Sequence, residues 1–152
     1  NWNFVPFTHE EFNHVGKEML RVVPDDFIQI ATIDGQDSAF IVMLPNINEV
    51  IADLDGRLLP FGWAKLLWRL KVRFPKSARV PLMGVRQKYQ NTRFGPSLAY
   101  MNIKGVVDAG TARGLEKLEM SWILEHNHGV RNIIESLGGE VTKRYRMYEK
   151  DL

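Results

Sequence analysis

"ARVPLMGVRQKYQNTRFGPSLAY", residues 78–100, runs from an apolar, strand-like stretch through a polar loop into a helix-like stretch, with Gly95 and Pro96 at the far end of the loop. Pro81 interrupts the strand; its missing N–H demands a bulge or an unpaired edge there. The helix starting near Gly95 carries Leu98, Ala99, Met101, Ile103, Val106 and Val107 almost all round it, which predicts burial on more than one side. A helix start leaves backbone N–H groups without partners, at the positive end of the helix dipole. Such a terminus holds phosphate well. Gly95 would allow close backbone approach, while Arg86, Lys88 and Arg93 add positive charge. On spacing alone, a solvated turn with basic residues that keep it hydrated remains the alternative.

Upstream, Thr8 followed by Glu11 forms a capping box before Phe12, Val15, Met19 and Leu20, predicting a helix that ends near Pro24. "FIQIATIDGQDSAFIVML" reads as a β-hairpin about Asp34-Gly35, with the loop expected to run on to Gln36 and Asp37. Asn46 with Glu49 caps a short helix that ends at Gly56, and "GWAKLLWRLKVRF" makes another. In this second helix Trp63, Leu66, Leu67 and Leu70 form a stripe expected to cover the sheet, with Lys65, Arg69, Lys71 and Arg73 solvated. A partner-docking or interfacial helix is the alternative. Downstream, "LEKLEMSWIL" alternates as a strand. Asn127 then caps a helix with Val130, Ile133, Ile134 and Leu137 on its core face, and "EVTKRYRMYEK" reads as a closing, half-exposed strand. Helix, hairpin, two short helices, then strands alternating with helices argue for an α+β fold with a mixed sheet.

Composition sets broad limits. The chain has 152 residues, 20 basic against 18 acidic, and no cysteine. A length of this kind suits one domain burying roughly two thirds of its unfolded surface. The small charge excess argues against a nucleic-acid partner, and the lack of cysteine excludes disulfides, thiolate zinc sites and a cysteine nucleophile. No apolar stretch approaches the ~20 residues of a membrane span. The chain is therefore expected to be soluble and cytoplasmic. A start at Asn1 fits a processed chain or one part of a longer protein. His126 and His128 beside Glu125 lack a third ligand at zinc-site spacing, so no metal site is expected, and His9 and His14 read as surface residues.

"LMGVRQKYQNTRFG" resembles the central motif of the GNAT superfamily of acyl-CoA-dependent N-acyltransferases, in which a strand enters a Q/R-x-x-G-x-G/A loop that grips pyrophosphate. Gln90, Arg93 and Gly95 stand at the first, fourth and sixth positions of that loop, so Arg93 replaces a usual glycine. "SWILEHNHGVRNIIESLGG" is similar to the family's second block, which Asn127 and Gly138 match. It departs at Gly139, where an aromatic is common, and at Ile134, where many members carry a tyrosine that protonates the leaving thiolate. The likeness covers residues 78 to 149 well and the first half weakly, and several members of this kind look like bacterial proteins longer than this chain. It implies a single GNAT-like domain over 1–152, with a central mixed sheet flanked by helices and a helical insertion, 46–74, before the cofactor-binding strand. Relative to the family the C-terminus stops one strand early.

The resemblance implies transfer of an acetyl or longer acyl group from acetyl-CoA or another acyl-CoA to an amine acceptor of unknown identity. Met83, Gly84, Val85, Gln90, Asn91, Thr92, Arg93, Phe94, Gly95 and Asn127 would bind the CoA thioester. Backbone donors near Met83 and Val85 would polarise its carbonyl. Asn127 would face the pantetheine arm or thiolate, with Glu125 and Tyr148 as the other catalytic residues; Glu119 and His126 are further candidates for the general base. A homodimer or a further upstream domain stays open as a partner. The competing reading is a catalytically silent GNAT-like domain that binds CoA or a protein partner, for which Ile134 is the main support. A third is a membrane-surface or acyl-carrier docking module using the Trp-bearing basic helix.

Overall fold

The computed structural model describes residues 8–57 and 59–150, without the side chains of Arg21, Val22, Leu70 and Lys71; the expected stripe position of Leu70 and the solvated position of Lys71 thus lie outside the described residues. Two compact units make up the chain, residues 1–122 and 123–152.

In the first unit, α1 (His9–Val22) begins at the expected capping box. Thr8 N–H donates to Glu11 Oε2 at 2.9 Å, and Glu11 N–H donates to Thr8 Oγ1 at 3.2 Å. Its apolar stripe stays open to solvent at Phe12, Val15 and Leu20. A single 3-10 turn (Asp25–Phe27) leads to β1 (Ile28–Ile33), which pairs antiparallel with β2 (Gln36–Pro45). The turn is tighter than expected: Asp34 and Gly35, at φ 51° and 75°, form all of it, and Gln36 already pairs with Ile33. Asp and Gly tolerate that left-handed backbone, and its twist matches a hairpin.

β2 pairs antiparallel with β3 (Ser77–Val85), and β3 pairs in parallel with β4 (Lys117–Met120), giving a mixed four-stranded sheet in chain order. Pro81 makes the predicted bulge. Val42 and Leu44 pair with Leu82 and Arg79, so Val80 and Pro81 together oppose Met43. The parallel ladder runs from Ser77–Lys117 to Val80–Met120 and stops one residue before the proline, which has no N–H to offer.

Between β2 and β3 lie α2 (Ile47–Ile51) and α3 (Gly62–Lys71). Their root is clamped to the start of β3: Asn46 Nδ2 donates to Ser77 Oγ at 2.9 Å, and Lys76 N–H donates to Glu49 Oε2 at 2.8 Å. α3 departs in part from the expected polarity: Lys65 and Arg73 are exposed and Leu66 is half-buried, but Arg69 is not solvated. Arg69 turns inward, donating to the Val50 carbonyl at 2.7 Å and, through both terminal nitrogens, to the Asp53 carboxylate at 2.5 and 2.8 Å. Trp63, Leu67 and Trp68 face solvent. A bidentate guanidinium–carboxylate pair out-competes the apolar stripe for this contact because α2 offers only a five-residue surface to pack against.

After β3 the chain forms a short α4 (Gln87–Gln90) and then α5 (Phe94–Ala112), which crosses one face of the sheet. Phe27, Ile41, Met43 and Val106 are fully buried. Burial of α5 is one-sided: Leu98, Ala99, Asn102, Ile103 and Val106 face the core while Met101 and Val107 are exposed, against the expectation of burial all round. Arg113, just after α5, grips Asp26 with two bonds at 2.8 and 3.0 Å and lies over the Phe27 and Phe74 rings, fixing the helix to the start of β1.

In the second unit α6 (His128–Ser136) is capped by Asn127 as expected. Two strand expectations fail. "LEKLEMSWIL" contributes only Lys117–Met120, because β3 stops offering a ladder at Val80. Residues 139–150 adopt no regular secondary structure, since an alternating pattern specifies a face but supplies no hydrogen-bonding partner.

Candidate functional site

The ladder between β2 and β3 fixes which way each backbone group of β3 points. Arg86 N–H donates to the Ser38 carbonyl at 2.9 Å, and Ala39 stands opposite Val85. In an antiparallel ladder that phase makes Gly84 and Leu82 exchange bonds with Phe40 and Val42, while Met83 and Val85 direct their own N–H and C=O groups away from β2. On that other side the pairing with β4 has already ended at Val80. Met83 and Val85 therefore present two N–H donors, two residues apart, along an edge with no strand partner among the described residues. The Val85 carbonyl on this edge accepts from Gln90 Nε2 at 2.8 Å.

The following loop folds on itself. Thr92 Oγ1 donates to the Tyr89 carbonyl at 2.8 Å and accepts from Phe94 N–H at 3.2 Å; Gly95 N–H donates to the Thr92 carbonyl at 3.1 Å. Pro96 has no N–H. Most of the donors that a helix start leaves over are thus engaged within the loop. Gly95 is required by packing: a Cβ there would lie 2.7 Å from the Tyr89 carbonyl oxygen and 3.0 Å from that of Gln90. Asn91 and the basic side chains Arg86, Lys88 and Arg93 remain exposed. Arg93 lies 5.4 Å from the Phe94 ring centroid, and Lys88 Nζ lies 4.7 Å over the Tyr89 ring and 3.1 Å from Gln36 Oε1. Lys88, with Ser38, lowers the Tyr89 hydroxyl below its ordinary pKa.

A shallow hollow of about 320 Å³ abuts the same end of β3, lined by Ile30, Asp37, Ser38, Phe40, Gly84 and Arg86 among others. It lies on the sheet face away from α5. Phe40 and Ile30 are cross-strand partners there, and the Phe40 ring covers Gly84. α5 instead meets the face of Gln29 and Met43, which approach Gly105 and Gly110.

The remaining predicted residues belong to the second unit. Asn127 Oδ1 accepts from Val130 N–H at 3.4 Å, and the Glu125 carbonyl accepts from Arg131 Nη1 at 3.3 Å, both at the start of α6. The Glu125 side chain is exposed, as is Tyr148 within residues 139–150. Ile134 contacts Gly139, whose N–H donates to the Ile134 carbonyl at 2.9 Å; the absent aromatic leaves room for this close turn. Of the other base candidates, Glu119 in β4 is held by Arg79 at 3.0 Å, while His126 is exposed. Sequence reasoning missed the Gln90 contact to Val85 and the inward turn of Arg69, neither of which leaves a periodic signal.

No protein-family model matches the chain. Over all 152 residues it is 57% identical to Protein YghO of Escherichia coli K12 and 46% identical to a protein of Caulobacter vibrioides named bacterial ceramide synthase. It spans 39% and 40% of the length of these relatives. Among solved structures it is similar to the acetyltransferase AAC(6')-Iy in complex with a bisubstrate analogue of CoA, with a TM-score of 0.60, 18% identity, and 99% of this chain and 84% of that one covered. It is also similar to aminoglycoside 6'-N-acetyltransferase AAC(6')-IG of Acinetobacter haemolyticus, with a TM-score of 0.55, 16% identity, and 96% and 85% covered. No helix among the described residues is long and apolar enough to cross a membrane. By this likeness the chain has the fold of the GNAT acetyltransferases.

Proposed function

We propose that this chain transfers an acyl group from acyl-CoA to the nitrogen of an amine. The observation that carries the reading is the open edge of β3, where Met83 and Val85 aim two N–H donors at a line with no strand across from it. A pantetheine arm is a chain of amides and can add to such an edge as a strand would. The thioester carbonyl then meets a backbone donor, and the exposed Arg86, Lys88 and Arg93 lie at the end of the strand where the diphosphate would sit. The complexes of AAC(6')-Iy with CoA and with a CoA analogue support acyl-CoA as the donor.

In this mechanism the neutral amine attacks the thioester carbon, and the carbonyl oxygen gains charge against the Met83 or Val85 N–H. Collapse breaks the C–S bond, the attacking nitrogen loses one N–H proton to become the amide, and the thiolate of CoA takes up a proton as it leaves, so the protons balance. We assign Asn127 to orient the pantetheine arm or thiolate, Glu125 to accept the proton of the incoming ammonium, and Tyr148 to protonate the thiolate in place of the tyrosine missing at Ile134. For the acceptor we favour a long-chain amino alcohol. A ceramide is such a base acylated on nitrogen, the Caulobacter relative bears that name, and the hollow beside Gly84 is lined by Ile30 and Phe40.

Calorimetric titration with acetyl-CoA and with a long-chain acyl-CoA, followed by acyl transfer to a panel of amines, tests the proposal. Saturable binding with release of free thiol in the presence of a long-chain amine is the expected result. Absence of binding to both thioesters would overturn it; binding with no turnover on any amine would favour the silent, CoA-binding domain.

A further inference from the structure

From Arg57 to Arg73 the chain carries five cations, Arg57, Lys65, Arg69, Lys71 and Arg73, and no carboxylate. With Arg69 turned inward, several large apolar groups of this segment are on the outside, while Leu66 is half-buried. Trp63 and Trp68 are 52% and 53% exposed, and Leu59 and Phe61, in the connection before α3, are 80% and 77% exposed. Ordinary hydration does not account for such a cluster. Its polar atoms are arranged for an apolar layer. Trp63 Nε1–H already donates to the Pro60 carbonyl at 3.0 Å, so the ring can leave water without losing its hydrogen bond. Asp53, the neighbouring carboxylate, is held well below the usual carboxylate range by Arg69 and then Lys65, and its charge is matched by those two cations. Arg57 and Arg73 form no ion pair among the described residues.

We propose that this surface seats the chain on a bilayer containing anionic lipid. Aromatic and aliphatic groups flanked by unpaired arginines suit the boundary between headgroups and acyl chains. An acidic protein partner would draw chiefly on the cations, and here two of them are already committed to Asp53. The segment is rooted at Ser77, the opposite end of β3 from the basic loop, roughly 26 Å away along the strand. Docking there leaves residues 86–95 clear of the docked segment. The inference goes beyond the acyl-transfer reading and does not depend on it.

The test is sedimentation of the chain with phosphatidylcholine vesicles, with and without phosphatidylglycerol. Co-sedimentation with the anionic vesicles is expected. Trp63→Ser with Trp68→Ser should abolish it, and so should Leu59→Asp with Phe61→Asp, which puts an aspartate at the N-cap of α3, where it favours the helix. Arg57→Gln with Arg73→Gln should weaken partitioning about thirtyfold, at about fivefold per charge. A chain that stays in the supernatant, binds both vesicle types equally, or binds unchanged in the Leu59 and Phe61 variant would overturn the proposal. Acyl-CoA binding without vesicles is a separate readout, so the failure of either idea is visible without the other.

Discussion

Val85 can be tested by removing one hydrogen atom. Its N–H points away from β2, so Val85→Pro deletes a donor on the open edge while the ladder to β2 keeps its bonds. If that donor meets the thioester oxygen, kcat should fall by roughly a hundredfold to a thousandfold with thermal unfolding little changed. Gly95 behaves in the opposite way. Gly95→Ala pushes a methyl against the carbonyls of Tyr89 and Gln90, backbone atoms that cannot step aside, and should destabilise the fold by about 1–3 kcal/mol in denaturant titrations. The sequence singled out Gly95 for a close approach by phosphate, and the close approach seen is by the chain's own backbone. A glycine at a loop end signals close approach, but the residues alone do not say whether phosphate or the chain's own backbone approaches.

Among the elements, α3 carries the sharpest difference between pattern and packing. Hydrophobic periodicity found the helix, and the Asn46 and Glu49 caps found the one before it, because those signals are local. Which face of α3 turns inward was decided by Asp53, twelve and sixteen residues from Lys65 and Arg69, and no periodicity encodes that. The pair makes a pH prediction. Asp53 has a lowered pKa in the folded chain, so its contribution is complete above its unfolded value of 3.8 and is lost as pH falls through the lower folded value. Asp53→Asn should remove that part of the acid sensitivity, read as a flatter dependence of Tm on pH below about 4. At neutral pH the same variant should loosen α3, read as faster amide exchange in Gly62–Lys71. The strand at 139–150 was over-read for a related reason: alternation needs a neighbouring edge to become a strand.

Across the whole chain, the resemblance that indicated the GNAT fold rested on two blocks in order, the strand–loop–helix at 78–100 and the stretch that Asn127 and Gly138 match. The open edge itself was not legible, because it depends on where β4 stops relative to Pro81, a relation between segments forty residues apart. That edge can be watched directly. Backbone amide resonances of the 17.5 kDa chain should be recorded during titration with acetyl-CoA. Saturable shifts are expected at Met83 and Val85, together with the loop from Arg86 to Gly95, while Leu82 and Gly84, bonded to β2, move least. Saturable shifts that leave Met83 and Val85 unmoved would contradict a CoA site on that edge.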